Sequence, residues 1–175
     1  MTFTETKLKG AYLITLNQIK DERGFFARCF CKAEFEKKGL EAEMVQHNIS
    51  YNQKRGTLRG LHAQSHPYEE SKLIRCTRGA IYDVIVDMRP NSNSFRRWLG
   101  VELYSNEYKM LYVPKGFAHG FMTLEDNTEI AYQMSHVHVP GSEVGFRWND
   151  PAFEISWPMQ PTIISEKDRS FPLLR

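Results

Sequence analysis

The sequence predicts an all-β fold, a barrel or a double-sheet jelly roll. Three observations lead there. Short apolar runs with strand periodicity recur along the whole chain. Turn residues separate them at near-regular spacing, at Lys54–Gly56, Arg78–Gly79, Pro90–Ser94, Lys115–Gly116 and Pro140–Ser142. One segment alone, about Lys32–Lys38, has the Glu- and Lys-rich content and the terminal glycine, Gly39, of a helix. Many short strands with little helix bury their apolar faces by closing into a barrel or stacking as two sheets.

Taken in order, the first strand is expected at Tyr12–Leu16 and the second at Phe25–Cys31, which opens on two aromatics. The helix follows. Strands are then expected at Met44–Ser50, Thr57–Ala63, Leu73–Cys76, Ala80–Met88, Trp98–Leu103, Met110–Val113, Gly120–Leu124 and Glu129–His138. Side chains alternate across a strand, so Tyr132, Met134, His136 and His138 would share one face of the last. A tyrosine and two histidines on one face read as a lined pocket or as a solvated polar face. Cys29 and Cys31 would also share a face, as small apolar residues. Three cysteines without paired spacing fit a reducing compartment rather than a disulfide framework.

At 175 residues the chain is expected to form one domain over 1–175. Lys and Arg number 23 against 21 Asp and Glu, interspersed, for a net charge of +2. No basic block suits a nucleic acid or an anionic membrane, so neither is expected as a partner. The longest apolar stretch, AIYDVIVDM, is broken by Asp83 and Asp87 and falls short of the ~18 residues of a membrane span. The first residues, MTFTETKLKG, lack the apolar centre of a signal peptide, so a cytoplasmic location is expected.

The stretch GTLRGLHAQSHPYEESKL, from Gly56 to Leu73, carries the densest chemistry. Arg59, His62 and Lys72 have the chemistry to supply an anion clamp, a proton shuttle and a fixed positive charge. His62 follows Gly56 and Gly60, which permit close approach of a ligand. A lone histidine is more often a hydrogen-bonded core residue. Lys72 adjoins Leu73 and Ile74, so it is either a buried cation in need of a partner, for which Asp83 or Asp87 are candidates, or an edge lysine facing water. His119, in VPKGFAHGF, has the same two readings as His62. Asp168, in IISEKDRSF, either orients an imidazole or is a solvated turn residue. His62, His66, His119 and Glu70 resemble a scrambled metal-binding jelly roll. Gln64 interrupts the histidine pair that such a site needs, and no metal is expected.

Together the segments DERGFF (21–26), GTLRGLHAQ (56–64), SKLIRC (71–76), YDVIVDMR (82–89), VPKGFAHGF (113–121), RWNDPAFEISWP (147–158) and SEKD (165–168) resemble the dTDP-4-dehydrorhamnose 3,5-epimerase family, in order and through nearly the whole chain. The resemblance implies a cupin-type jelly roll with one or two short helices. It also implies a cofactor-free epimerase acting on a nucleotide-diphosphate sugar with a 4-keto-6-deoxyhexose. His62 would be the base, paired with Asp168. Lys72 would stabilise the enolate oxygen, and Tyr132 would return the proton from the other face. Arg23 and Arg59 would bind the diphosphate, while Gln46, Asn48 and His119 would line the sugar and phosphate site. The family also implies a homodimer in which Arg23 reaches the neighbour's site.

That chemistry is self-consistent. A hydrogen alpha to a ketone is weakly acidic, so removing it needs a base on one side and charge stabilisation at the developing oxyanion. Inversion then needs an acid on the opposite face. A sugar 3,4-ketoisomerase would use a similar enolate, a binding-only cupin would need no acid and base, and a dioxygenase-type cupin would need a metal. Two positions depart from the family pattern. Arg28 stands where a glutamate is usual, and His138, after Val137, stands where a tyrosine usually stacks on thymine. If Arg28 reaches the base, an acceptor at N3 suits it better than the donor thymine presents. The sequence therefore leans toward CDP over dTDP, with C3 and perhaps C5 as the inverted carbons.

Overall fold

A computed structural model describes residues 1–174. Its strands, in chain order, are β1 (Thr2–Glu5), β2 (Tyr12–Thr15), β3 (Ile19–Asp21), β4 (Gly24–Phe26), β5 (Gln46–Asn52), β6 (Thr57–Gln64), β7 (Lys72–Arg78), β8 (Ala80–Asp87), β9 (Trp98–Tyr104), β10 (Lys109–Val113), β11 (Phe117–Thr123), β12 (Thr128–Met134), β13 (Glu143–Gly145) and β14 (Ile163–Ile164). Helix α1 spans Lys32–Lys37 and helix α2 spans Glu166–Ser170. The strands form two stacked sheets, a cupin-like jelly roll. One sheet runs β1-β2-β10-β7-β12-β5. The other runs β13-β6-β11-β8-β9, with β14 added in parallel to β6. Strands β3 and β4 make a separate hairpin.

Strand parity sorts the core. Ile74, Cys76, Leu111, Val113 and Ile130 of the first sheet meet Ile81, Ile85, Leu103, Phe117 and Phe121 of the second. The neighbouring residues Leu73, Met110 and Tyr112 point the other way and pack with Phe35 of α1. On the second sheet Val84, Val86, Leu61 and Ala118 turn outward under Phe153 of the C-terminal segment. Every residue of β8 but Tyr82 is buried, Asp83 and Asp87 included, and this follows from the cover on both faces.

The close approach of β6 and β11 requires glycine. Gly60 has φ of +123°, and a Cβ there would lie 2.5 Å from Gly120 Cα. The register between the two strands shifts at this point, between His119 and Phe121, and sets His119 directly across from His62.

Several expected boundaries move. The strand expected at Phe25–Cys31 ends at Phe26, and Cys31 is instead the N-cap of α1. Cys29 and Cys31 therefore share no strand face. The buried thiol is Cys76, which burial pushes up to about 11 and leaves unreactive. The strand expected to reach His138 stops at Met134. Strands β1, β3, β13 and β14 and helix α2 were not expected. Among the described residues no helix is long and apolar enough to cross a membrane.

Candidate active site

A cavity of about 740 Å³ opens between the two sheets. The second sheet contributes Arg59, His62 and Gln64 from β6 and His119 from β11, and the first contributes Gln46, Asn48, Lys72, Tyr132 and Met134. Asp168 reaches it from α2 and His138 from the loop after β12. Of the eleven expected site residues, nine line this single space.

His62 and Asp168, 106 residues apart, meet at 2.7 Å between Nε2 and Oδ1. Local structure places the carboxylate. Ser165 caps α2, its Oγ accepting from the Asp168 backbone N–H at 3.1 Å. The second oxygen, Oδ2, accepts from the Gly60 N–H at 3.1 Å. Burial pushes the Asp168 carboxyl up, but its bonds to His62, Gly60 and Ser165 outweigh this and hold it below its ordinary range. The His62 ring stays one-third exposed, open to the cavity. Glu143 Oε1 lies a further 3.6 Å from the same Nε2 and is itself paired with Lys167.

Tyr132, on β12 of the opposite sheet, lines the same cavity as His62. Burial raises its phenol pKa, and the nearby Arg59 charge partly offsets this, so the hydroxyl holds its proton. Lys72 is buried, and its partner is Glu70, 2.9 Å away. The expected partners are engaged elsewhere. Asp83 bonds His119 at 2.6 Å, and Asp87 bonds Arg89 at 2.7 Å, because both carboxylates lie on β8 in the other sheet. Arg59 is oriented by Asn52, whose Oδ1 accepts from Nε at 2.8 Å.

At the other end of the cavity Gln46 Oε1 accepts from the His138 N–H at 2.8 Å, while its Nε2 donates to Asn48 at 3.2 Å. The loop that carries His138 is tied down by Gln64. Its Oε1 accepts from the Val139 N–H and the Ser142 hydroxyl, and its Nε2 donates to the Tyr68 and Val137 carbonyls. The residue that broke the metal-like histidine pattern is thus a structural anchor. His66 points to solvent beside Glu69, well away from His62 and His119. His136 packs on Tyr68 at the edge and does not share the pocket with Tyr132.

Two expected residues do not line their own chain's cavity. Arg23 sits at the tip of the β3–β4 hairpin, 85% exposed and paired with Asp21 at 2.5 Å. Arg28 bonds Glu34 of α1 at 3.1 Å and does not line this cavity, so nothing within the chain supports the base contact on which the CDP lean rested. Glu70 and Gln64, weighed in the sequence only for a metal site, line the cavity as well, as do Glu143 and Lys167, which sequence reasoning passed over.

Known proteins match this chain closely in sequence and fold. The profile of the family described as dTDP-4-dehydrorhamnose 3,5-epimerase matches residues 5–175. The chain belongs to that family. It is 41% identical over 175 residues to the dTDP-4-dehydrorhamnose 3,5-epimerase of Sinorhizobium fredii, covering 99% of this chain and 90% of the relative. A crystal structure of the Bacillus anthracis dTDP-4-dehydrorhamnose 3,5-epimerase with TDP and PPi bound superposes with a TM-score of 0.95 at 42% identity, covering 99% of each chain. The Legionella pneumophila dTDP-6-deoxy-D-glucose-3,5-epimerase, in complex with dTDP-4-keto-L-rhamnose, gives 0.91 at 35% identity over 98% of this chain and 92% of that one. As a member of this family the protein is an isomerase, an epimerase of nucleotide-linked sugars.

Proposed function

We propose that this protein inverts C3 and C5 of dTDP-4-keto-6-deoxyglucose, each through an enolate. The observation that carries the reading is the placement of a histidine–aspartate pair on one wall of a cavity, with a protonated tyrosine and a lysine on the facing wall. With Nε2 donating to Asp168, Nδ1 keeps the lone pair and is the base. Nδ1 takes the α-proton, and the C–H electrons move through the α-carbon to the C4 oxygen. The Lys72 ammonium meets that oxyanion. Tyr132 then donates its hydroxyl proton to the opposite face of the flat enolate, which closes the carbonyl again with inversion. Solvent reprotonates the phenolate and removes the proton from His62.

Arg59 and His119 bind the diphosphate and nearby sugar oxygens, and Gln46, Asn48 and His138 border the nucleotide. Thymidine is favoured over cytidine because the relatives are named for dTDP sugars, while Arg28, paired with Glu34, does not line the cavity of its own chain. The working unit is a homodimer of single-domain chains. The outer face of the first sheet exposes Ile49 and Tyr51, the hairpin exposes Ile19 and Phe26, and the same hairpin carries Arg23 toward a neighbour.

The test is deuterium uptake. In D2O with dTDP- or CDP-4-keto-6-deoxyglucose, NMR is expected to show exchange at C3 and C5, faster with the dTDP sugar. No exchange with either substrate would remove the epimerase reading. Exchange at C3 alone would reduce it to a 3-epimerase, and a faster CDP sugar would restore cytidine.

A further inference from the structure

One charge at the cavity wall has no part in the chemistry above. Glu70 lies just ahead of β7, its side chain 3% exposed, with Oε1 at 2.9 Å from Lys72 Nζ. The Lys72 side chain is itself only 10% exposed. Among the described residues Glu70 is the one carboxylate in ion-pair range of that ammonium, and both residues line the cavity. The second carboxylate oxygen, Oε2, is buried with no hydrogen-bond partner.

This is a poor arrangement if fold stability were its purpose. Burying two charges costs several kcal/mol per ion, roughly recovered by the pair only when every remaining lone pair is satisfied. Here one is not. An orphaned oxygen in a buried pair beside a reaction site calls for an explanation in function. Lysine supplies one. Its ammonium is a point charge on a flexible four-carbon stem, and a transition state gains only from a charge already held in place. A carboxylate bonded to one N–H leaves the other two to be aimed at the cavity.

We infer that Glu70 is the positioning residue for Lys72, fixing its ammonium on the wall where the substrate's carbonyl oxygen becomes an oxyanion. The inference rests on the epimerase reading of the cavity. Glu70 touches no reacting atom and acts through Lys72 alone. Its loss therefore lowers turnover, not binding, and matters only while Lys72 is present.

Four variants test this: Glu70→Gln, Glu70→Asp, Lys72→Met and the double Lys72→Met/Glu70→Gln. With dTDP-4-keto-6-deoxyglucose, Glu70→Gln is expected to lower kcat about tenfold and leave KM within about twofold. Glu70→Asp, which keeps the charge on a shorter stem, falls between it and the unaltered protein. In the Lys72→Met background, Glu70→Gln is expected to cost no further α-proton exchange, the sign of two residues acting as one unit. Heat supplies a readout without substrate. Lys72→Met leaves a lone buried carboxylate and lowers Tm, and the added Glu70→Gln raises it again.

Additive losses would overturn the inference, as would a raised KM with kcat unchanged, which would make Glu70 a direct substrate contact. If the unaltered protein shows no exchange, the epimerase reading fails by itself. The Tm pattern would then still decide whether the pair exists, and its absence would sink the pairing.

Discussion

Two histidine–aspartate pairs stand side by side in this protein and are built differently. His62 and His119 face each other across β6 and β11, and each places Nε2 within 2.7 Å of a carboxylate. The first carboxylate, Asp168, comes from a five-residue helix near the chain's end and uses both oxygens, one on His62 and one on the Gly60 N–H. The second, Asp83, comes from the most buried strand and uses one oxygen, while Oδ2 lacks a partner. The His62 side chain is 33% exposed and the His119 side chain 13%. Equal hydrogen-bond lengths thus go with unequal roles. A base must reach substrate with a defined tautomer, and only the His62 pair has both an open ring and a carboxylate whose orientation is fixed from two sides.

That contrast breaks most readily at the rings themselves. His62→Ala is expected to lower kcat by about 10³–10⁴, since it removes the base, while KM changes little. His119→Ala is expected to raise KM about tenfold with kcat within about threefold, since it removes a contact made equally in the ground and transition states. Steady-state kinetics separates the two. Equal losses of kcat would end the division of labour.

The carboxylates sharpen the comparison. Asparagine has one acceptor and one donor end. At position 168 it cannot accept from both His62 and Gly60. If its oxygen keeps Gly60, its NH2 faces His62 and forces the lone pair onto Nε2, so Nδ1 carries the proton and ceases to be a base. Asp168→Asn is therefore expected to lower kcat by about 10²–10³. At position 83 the amide oxygen can keep the single bond to His119, so Asp83→Asn is expected to change kcat less than about fivefold. A loss at 83 as large as that at 168 would show that both pairs serve the chemistry.

Much of this was legible in the sequence, and the exceptions have physical causes. The strands from β5 to β12 announce themselves through short stretches rich in apolar and β-branched residues between turn residues. Strand β14 has two residues and α2 five, too short for any periodicity, yet they deliver Asp168. Its pairing with His62 rested on family resemblance, because a lone aspartate in a polar segment carries no signal of its own. The partner of Lys72 was misplaced for a different reason. Asp83 and Asp87 interrupt an apolar strand and so attract notice, but register puts β8 in the sheet opposite β7, and Glu70 two residues away is nearer. His136 failed with its strand: parity holds only while the backbone stays extended, and β12 ends at Met134. Arg28 is the plainest loss. A sequence shows that a residue type has changed, whereas only the fold shows that Glu34 already holds it.

The smallest expected effect concerns acid. Asp168 is held below its ordinary 3.8, so its native bonds favour the ionised form. A depressed carboxylate contributes stability that is present above its unfolded pKa and lost as pH falls through the folded one. Above about pH 5 the gap in unfolding free energy between the unaltered protein and Asp168→Asn is expected to be constant, about 1–3 kcal/mol. Below pH 3.8 the gap is expected to narrow, because a protonated Asp168, like asparagine, has one oxygen that no longer accepts. Urea titrations at pH 6, 4 and 3 would measure the gap. A gap that stays level or widens on acidification would mean that Asp168 gains nothing from its two donors, and that the difference between the two pairs lies in exposure alone.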